Sequence, residues 1–220
     1  MNSVLTMGRI DEGHVELFGA DITNTSPWDR AALGLSRTFQ SNRVMLELPV
    51  VDNLTAGAYR MIPGGVVTSL LGLPKIRAAE RRARAVAGAV AELLDLTPFW
   101  NEPVGSLDFG TQRRVEIGRS LMSGPKVLLL DEPAAGLDNE EAAHLFGLVR
   151  RLGADLGLTV LLVEHYVKAV LENCDLVYVL NRNLVASGPP AEIAVHPEVR
   201  AVYLGSDDDD EDEEAVDVDA

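Results

Sequence analysis

Two adjacent carboxylates follow an aliphatic run in the segment VLLLDEPAAGLD, which spans residues 127–138. A carboxylate at the carboxyl end of a buried strand can bind Mg²⁺ that itself holds phosphates. A glutamate directly after it can act as a general base towards a water that attacks the terminal phosphate. Asp131 and Glu132 therefore predict phosphate chemistry, although a strand that ends in a solvated acidic turn would show the same pair.

Three other segments carry side chains or backbone groups that suit the same chemistry. LLVEHYV places His165 after the next aliphatic run, where an imidazole can bond a terminal phosphate or simply serve as an ordinary capped histidine. GLSRTFQ ends in Gln40, whose amide can coordinate Mg²⁺ or simply belong to a loop. SLDFGTQRRVEIGRSL opens a helix at a glycine-containing turn, which suits an anion but also fits an ordinary N-capped helix.

Alternating strand and helix patterns must position these groups. HVELFG (14–19) predicts a strand and a turn, and uninterrupted apolar content predicts fully buried strands for KVLLLD, LTVLLVEH and CDLVYVL. Helices are predicted over residues 76–96, from near Gly110 to the SGP segment, and over residues 139–157. This order predicts an α/β fold with a mainly parallel sheet, and a helical insert at about 56–122.

Composition limits the possible functions. A chain of 220 residues and 23.7 kDa is long enough for one sizeable core. The formal net charge is −15, but residues 206–220 hold ten acids and no base, so the remainder has 24 acids against 19 bases. That body has no overall excess of positive charge to attract nucleic acid, and the acidic tail is expected to be disordered. No signal peptide or membrane-spanning apolar run is visible, and the single Cys174 is expected to be buried and inert.

The order of these motifs resembles the ATP-binding subunits of ABC transporters. The run GLSRTFQ, QRRVEIGRSL, DEPAAGLD and the EH pair covers nearly the whole body of the chain. LPKIRAAERRAR and the ending HPEVRAVYLG look most like the branched-chain amino-acid importer group, although importers of other polar solutes are similar. The resemblance implies a P-loop NTPase-like ABC ATPase core over residues 1–205, with a helical sub-domain at about 56–122, and a separate tail at 206–220.

The resemblance also implies a role for each motif residue. Gln40 and Asp131 would bind the metal, and Glu132 and His165 would be catalytic. Asp138 would contact the opposite subunit across a dimer. The signature motif, which binds ATP held by that opposite subunit, would comprise Leu107, Asp108, Phe109, Gly110, Thr111 and Gln112.

Cofactors and partners follow from the same resemblance. The cofactors would be ATP and Mg²⁺. The partners would be transmembrane permease subunits lying near residues 41–56, a second ATP-binding subunit in a homo- or heterodimer, and indirectly a substrate-binding protein. The chain would be cytoplasmic and peripheral on the inner face of the cell membrane, and its function would be to couple ATP hydrolysis to import.

Two departures from the family pattern affect this interpretation. The phosphate loop GxxxxGK[ST] (Walker A) is absent, because the three lysines follow Pro74, Pro125 and Val167. The first residues look like the family stretch after that loop, which predicts either a downstream methionine taken as the start or a truncated gene. The 220 residues alone are therefore expected to bind ATP poorly and to hydrolyse almost none of it.

The second departure lies in the signature motif. Asp108 stands where serine is usual, and Thr111 stands where glutamine is common. Asp108 would either repel a phosphate or turn away to cap its own helix. We take this as a degenerate signature and hypothesise an asymmetric heterodimer.

Two rival functions are considered. A non-catalytic interaction subunit that only docks on a membrane partner is distinguished by whether transport survives Glu132→Gln. A soluble ABC-type protein acting on DNA or ribosomes would show a long coiled-coil insert, a second cassette or a basic arm, none of which is visible in this sequence.

Overall fold

The computed structural model describes residues 12–38, 44–58 and 74–200, with side chains from residue 77 onward in the last range. These residues belong to two compact units, which lie within Met1–Val163 and Glu164–Ala220. The predictions for Gln40 and for the tail at 206–220 fall outside the described residues. None of the helices in the described ranges combines the length and the apolar character needed to cross a bilayer.

The first unit contains short strands, helices and two 3₁₀ turns. In chain order they are β1 (Glu16–Leu17), β2 (Ala20–Asp21), α1 (Pro27–Ala32), β3 (Leu35–Arg37), α2 (Val50–Gly57), α3 (Pro74–Leu93), 3₁₀ turns at Thr97–Phe99 and Val104–Ser106, α4 (Phe109–Leu121), β4 (Val127–Asp131), α5 (Asn139–Leu156) and β5 (Thr159–Val163).

A parallel sheet of three strands forms the centre of this unit. β4 lies between β3 and β5, and pairs with both in parallel. Its interior residues Leu128, Leu129 and Leu130 are buried, which confirms the buried strand predicted for KVLLLD. Since every residue of β5 opposes one of β4, from Val127↔Thr159 to Asp131↔Val163, the two strands end level with each other.

β5 is a correction to the sequence prediction. Apolar content predicted that LTVLLVEH is fully buried, but Leu161 is 44% exposed and only parts of the strand are covered. Within the described residues β5 pairs with β4 on one side alone. A strand is buried on both faces only when helices or other elements cover each face; within the described residues β5 pairs with one strand and packs against the helix Asn139–Leu156.

Helices pack against the sheet and against one another. α5 begins with a capping box at Asp138 and ends at Gly157, which has the left-handed φ of 61° that suits glycine at a helix end. Its residues Leu145, Leu148 and Leu152 recur at helical spacing and are buried in the core.

The regular elements described between β3 and β4 are helices and 3₁₀ turns, apart from an isolated bridge between Pro49 and Pro103. α2 lies closely against α4, since a Cβ added at Gly118 would meet Leu54 Cδ2 at 2.6 Å. A separate helical sub-domain at about 56–122 remains a prediction.

The second unit contains a hairpin and short helices. They are α6 (Val167–Asn173), β6 (Val177–Asn181), β7 (Asn183–Gly188), α7 (Pro190–Ile193) and α8 (Pro197–Val199). Val177, Ile193 and Val199 form a small core. Cys174 is half-buried, and desolvation raises the pKa of its thiol, with Asp175 adding to the effect, as suits an inert cysteine.

The strand predicted for CDLVYVL is a second correction. β6 pairs with β7 in antiparallel fashion, and Tyr178 is 59% exposed. The prediction of a third fully buried strand is therefore wrong. In a two-stranded hairpin one face can pack on a core while the other is exposed to solvent, and alternate side chains of the strand point to opposite faces.

Candidate functional site

The backbone at the end of β4 is held in place by β5. Asp131 is the last residue of the strand, and the ladder pairs it with Val163 at the end of β5. The next residue continues this contact, because the Glu132 backbone N–H donates to the Val163 carbonyl at 2.9 Å. The two predicted carboxylates thus lie at the carboxyl end of the central strand of a parallel sheet, where ligands of open α/β sheets bind.

Asp131 forms an ion pair with Arg37, a residue that the sequence prediction did not include. Arg37 Nη2 lies 2.7 Å from Asp131 Oδ2, and the two side chains are 10% and 18% exposed. Among the described residues no hydrogen bond reaches the other oxygen, Oδ1. One oxygen of this carboxylate is therefore engaged and the other remains for a ligand.

Glu132 has an unusual backbone conformation. Its φ is +47°, in the left-handed region that costs a residue with a side chain about 1–2 kcal/mol. Non-glycine residues are held in this region where the surrounding structure determines the backbone, and such positions cluster at functional sites. The strain supports the prediction of a role for Glu132 without defining it.

A tight turn connects β4 to α5. The backbone N–H of Ala135 donates to the Glu132 carbonyl, and that of Leu137 donates to the Ala134 carbonyl. Gly136 has a φ of +82°, and a Cβ built on it would lie 3.3 Å from Phe109 Cε1. Glycine is needed here for both reasons, its φ and its contact with the Phe109 ring.

Asp138 ends this turn and caps α5. Its Oδ1 accepts hydrogen bonds from the backbone N–H groups of Glu140 and Glu141, at 2.9 and 2.8 Å. In return Glu141 Oε2 accepts from the Asp138 backbone N–H at 3.1 Å. Asp138 is exposed, so its predicted contact across a dimer is compatible with its capping role.

At the N-terminus of α4 the structure distinguishes the two alternatives for Asp108, repulsion of a phosphate or capping of its own helix. Asp108 caps its own helix, since Oδ1 accepts from the Thr111 backbone N–H at 2.7 Å and Oδ2 accepts from the Thr111 hydroxyl at 2.8 Å. Arg114 Nη2 donates to that hydroxyl at 2.6 Å, and Gln112 Nε2 donates to the Leu107 carbonyl at 2.9 Å. The helix end thus presents a carboxylate of its own.

Asp108 is anionic at neutral pH. Partial desolvation raises the pKa of its carboxyl, but the hydrogen bonds from the Thr111 backbone and hydroxyl outweigh this, and the Arg114 charge acts in the same direction as those bonds. The net pKa of Asp108 lies below its ordinary value.

The start of α4 lies beside the turn that precedes α5. Besides the contact of Phe109 with Gly136, a Cβ added at Gly110 would lie 3.2 Å from Glu141 Oε1 and 3.4 Å from Asp108 Oδ1. The structure therefore brings the predicted signature residues 107–112 together with the segment that ends at Asp138.

His165 lies in the second unit and follows β5 by two residues along the chain. Its side chain is 77% exposed, and Nδ1 lies 3.9 Å from the buried Glu164 carboxylate. Its approach to the acidic end of β4 remains a prediction.

The donor set at the end of β4 fits a magnesium–nucleotide complex better than a metal ion held by protein alone. Asp131 offers a hard carboxylate oxygen, the ligand type that Mg²⁺ prefers. No group of three or more acidic, histidine or cysteine residues forms a metal cage within the described ranges. Magnesium here would therefore need most of its oxygens from phosphates and water, as is usual for this ion.

Sequence reasoning missed Arg37 and Glu141. Arg37 lies within the motif GLSRTFQ, and nothing in the sequence except its charge and its place in that motif pointed to a role. Glu141 stands three residues after Asp138, which is the capping-box spacing and could have identified its role.

Comparisons with known proteins agree on one kind of protein. The family model described as "ABC transporter" matches residues 1–135, and the model described as "Branched-chain amino acid ATP-binding cassette transporter" matches residues 183–209. The chain is 37% identical over 194 residues to the high-affinity branched-chain amino acid transport ATP-binding protein BraF of Pseudomonas aeruginosa, which covers 88% of this chain and 76% of the relative.

Further relatives and solved structures show the same likeness. The corresponding protein LivG of Salmonella typhimurium is 37% identical over 176 residues, or 80% of this chain and 69% of the relative. Among solved structures, the ADP conformation of an ATP-binding cassette of an ABC transporter superposes with a TM-score of 0.75 at 32% identity, covering 93% of this chain and 81% of that one.

Proposed function

The chain belongs to the ABC transporter family of ATP-binding proteins, and on this basis we propose that it is the ATP-hydrolysing subunit of an importer for branched-chain amino acids. Its family makes it an ABC-type ATPase with an α/β fold. The solute is proposed from the relatives, BraF and LivG, whose names describe high-affinity branched-chain amino acid transport.

One observation of the site supports this function most directly. Asp131 ends the central strand of a parallel sheet and Glu132 follows it, and Val163 at the end of β5 pairs with Asp131 and accepts from the Glu132 backbone N–H. A metal-binding carboxylate followed by a strained glutamate at this edge suits phosphoryl transfer, where catalysis depends mainly on positioning and on charge stabilisation.

In this proposal the residues have separate roles. Asp131, together with Gln40, holds Mg²⁺, which when bound neutralises charge that develops on the phosphates. Glu132 accepts a proton from the attacking water, and His165 orients that water towards the terminal phosphate.

The second half of the site faces a partner. Residues 107–112 contact ATP held by a second ATP-binding subunit, and Asp138 lies across the same interface. Transmembrane permease subunits receive the movement that follows closure of the two subunits, and a substrate-binding protein delivers the amino acid to them. The chain would then lie at the inner face of the cell membrane.

The test is a transport and ATPase measurement in the reconstituted complete transporter with Glu132→Gln. We expect ATP hydrolysis to fall by about 10²–10⁴-fold, the usual contribution of a general base, while nucleotide binding persists. Uptake of labelled leucine, isoleucine or valine should fall with it. Glu140→Gln is the matched control, because Glu140 is an exposed acid in the first turn of α5.

The carboxylate of Asp108 at the signature favours a second candidate, a degenerate subunit that docks on the membrane partner and hydrolyses no ATP. In that case the transporter would keep its uptake and hydrolysis in the Glu132→Gln variant. Such a result would refute the catalytic role proposed for Glu132.

A further inference from the structure

Arg37 and Asp131 meet because the sheet fixes them both. Arg37 is the last residue of β3, its register partner on β4 is Leu129, and the Thr38 backbone N–H donates to the Leu129 carbonyl at 3.0 Å. Since the strands are parallel, the Arg37 side chain reaches Asp131 two residues further along β4. The pair is 94 residues apart in sequence and is therefore set by the sheet.

The pair restricts the carboxylate. The Nη2–Oδ2 distance of 2.7 Å is that of a charge-assisted hydrogen bond, and both side chains are largely buried. A guanidinium is planar and always charged, so it holds one oxygen of Asp131 in a fixed direction at any physiological pH. Oδ1 receives no hydrogen bond from the described residues and is the oxygen left for a metal or its water.

We propose that Arg37 is a positioning residue that makes the metal-site carboxylate offer a single oxygen, and that it thereby favours Mg²⁺ over Ca²⁺. The inference rests on the proposed function, in which Asp131 takes part in holding Mg²⁺. Mg²⁺ accepts six ligands in a strict octahedron, usually one oxygen from each carboxylate. Ca²⁺ accepts six to eight oxygens and often takes both from one carboxylate, which Arg37 prevents at Asp131.

The test compares nucleotide binding with each cation. The dissociation constant of the non-hydrolysable analogue AMP-PNP is measured in Mg²⁺, in Ca²⁺ and in EDTA, for the full chain assembled with its transmembrane partners. The variants are Arg37→Met, which keeps the length of the side chain and removes its charge, and Arg37→Lys, which keeps the charge and loses the planar fork. Arg151→Met is the control, because Arg151 is exposed and pairs with Asp95 on the surface.

With Arg37→Met, we expect the preference for Mg²⁺ over Ca²⁺ to fall by about fivefold, which corresponds to about 1 kcal/mol of discrimination. Binding in EDTA should change by less than about twofold, because the metal-free nucleotide does not use this oxygen. If removal of the charge prevents folding, Arg37→Lys decides, with a smaller shift in the same direction.

Two results would overturn the inference. One is an unchanged Mg²⁺/Ca²⁺ ratio in the Arg37 variants, and the other is an equal loss of affinity in all three conditions, which would show a structural role alone. If the unaltered complex binds AMP-PNP in none of the conditions, the proposed function fails and takes this inference with it.

Discussion

Replacement of Asp108 by serine separates the two effects of this carboxylate. In the structure Asp108 caps α4, and its charge stands at a helix end that the proposed function places against the phosphates of a partner's ATP. Serine caps helices about as well as aspartate, so the stability should change by no more than a few tenths of a kcal/mol. Asp108→Ala removes the cap and should cost about 1 kcal/mol.

The effect on nucleotide is larger and has the opposite sign. A carboxylate about 4 Å from one phosphate charge is repelled by about 1 kcal/mol in water and by about 4 kcal/mol at an effective dielectric of 20. Asp108 is exposed, so the value for water applies more closely. Asp108→Ser should therefore tighten ATP binding at the composite site by about fivefold.

The assay is ATP affinity and steady-state hydrolysis in the complete transporter. Asp108→Asn is the matched variant, because asparagine keeps the shape and the capping ability but has no charge. If charge is the cause, serine and asparagine should tighten binding equally. If neither variant changes affinity or rate, the degenerate signature and the asymmetric dimer built on it are refuted.

The cap formed by Asp108 also predicts that the stability of the protein depends on pH in the acid range. The pKa of Asp108 is lowered in the folded state, so its contribution to stability is complete above the unfolded value of about 3.9 and is lost as the pH falls through the folded pKa. Acid titration of unfolding should thus show a loss below about pH 4 that is reduced in Asp108→Asn.

Two further predictions concern the packing that supports the site. Gly57→Ala should destabilise the protein by about 3 kcal/mol in denaturant unfolding, because the added Cβ would collide with the Arg119 carbonyl. Gly88→Ala in α3 is the control: its added Cβ would meet no atom, so the variant should be more stable by up to about 1 kcal/mol. Asn53→Ala should lower the free energy of unfolding by about 3 kcal/mol, because the buried Asn53 amide forms hydrogen bonds with both the backbone N–H and the carbonyl of Met45. The same variant should speed amide hydrogen exchange at Met45, and an unchanged exchange rate there would contradict the reasoning.

The sequence predicted the strand that carries the site better than the strands around it. The run VLLL is short and wholly apolar and is followed by two acids, so a buried strand with carboxylates at its end was the simplest solution, and β4 confirms it. β5 and β6 are also rich in aliphatic residues, yet they are more exposed than predicted. Composition reports how apolar a strand is, while burial depends on which elements lie on each side of it.

The contacts of the site residues could be predicted only where they are local. The capping box of Asp138 and Glu141 follows from spacing alone. The pairing of Arg37 with Asp131 does not, because it depends on the register of two strands that are far apart in sequence. For Asp108, sequence allowed both a phosphate clash and a cap; the hydrogen bonds to Thr111 identify the cap.

The N-termini of α4 and α5 lie in contact, and this limits how far a single substitution can restore a phosphate site. Asp108 accepts from the Thr111 backbone N–H at the start of α4, and a Cβ added at Gly110 would lie 3.2 Å from the Glu141 carboxylate. Removal of the Asp108 charge leaves the second carboxylate in place, since Glu141 is held there by the Asp138 backbone. The gain in affinity of Asp108→Ser is therefore expected at the lower end of the electrostatic range, because a neighbouring negative charge still opposes the phosphate.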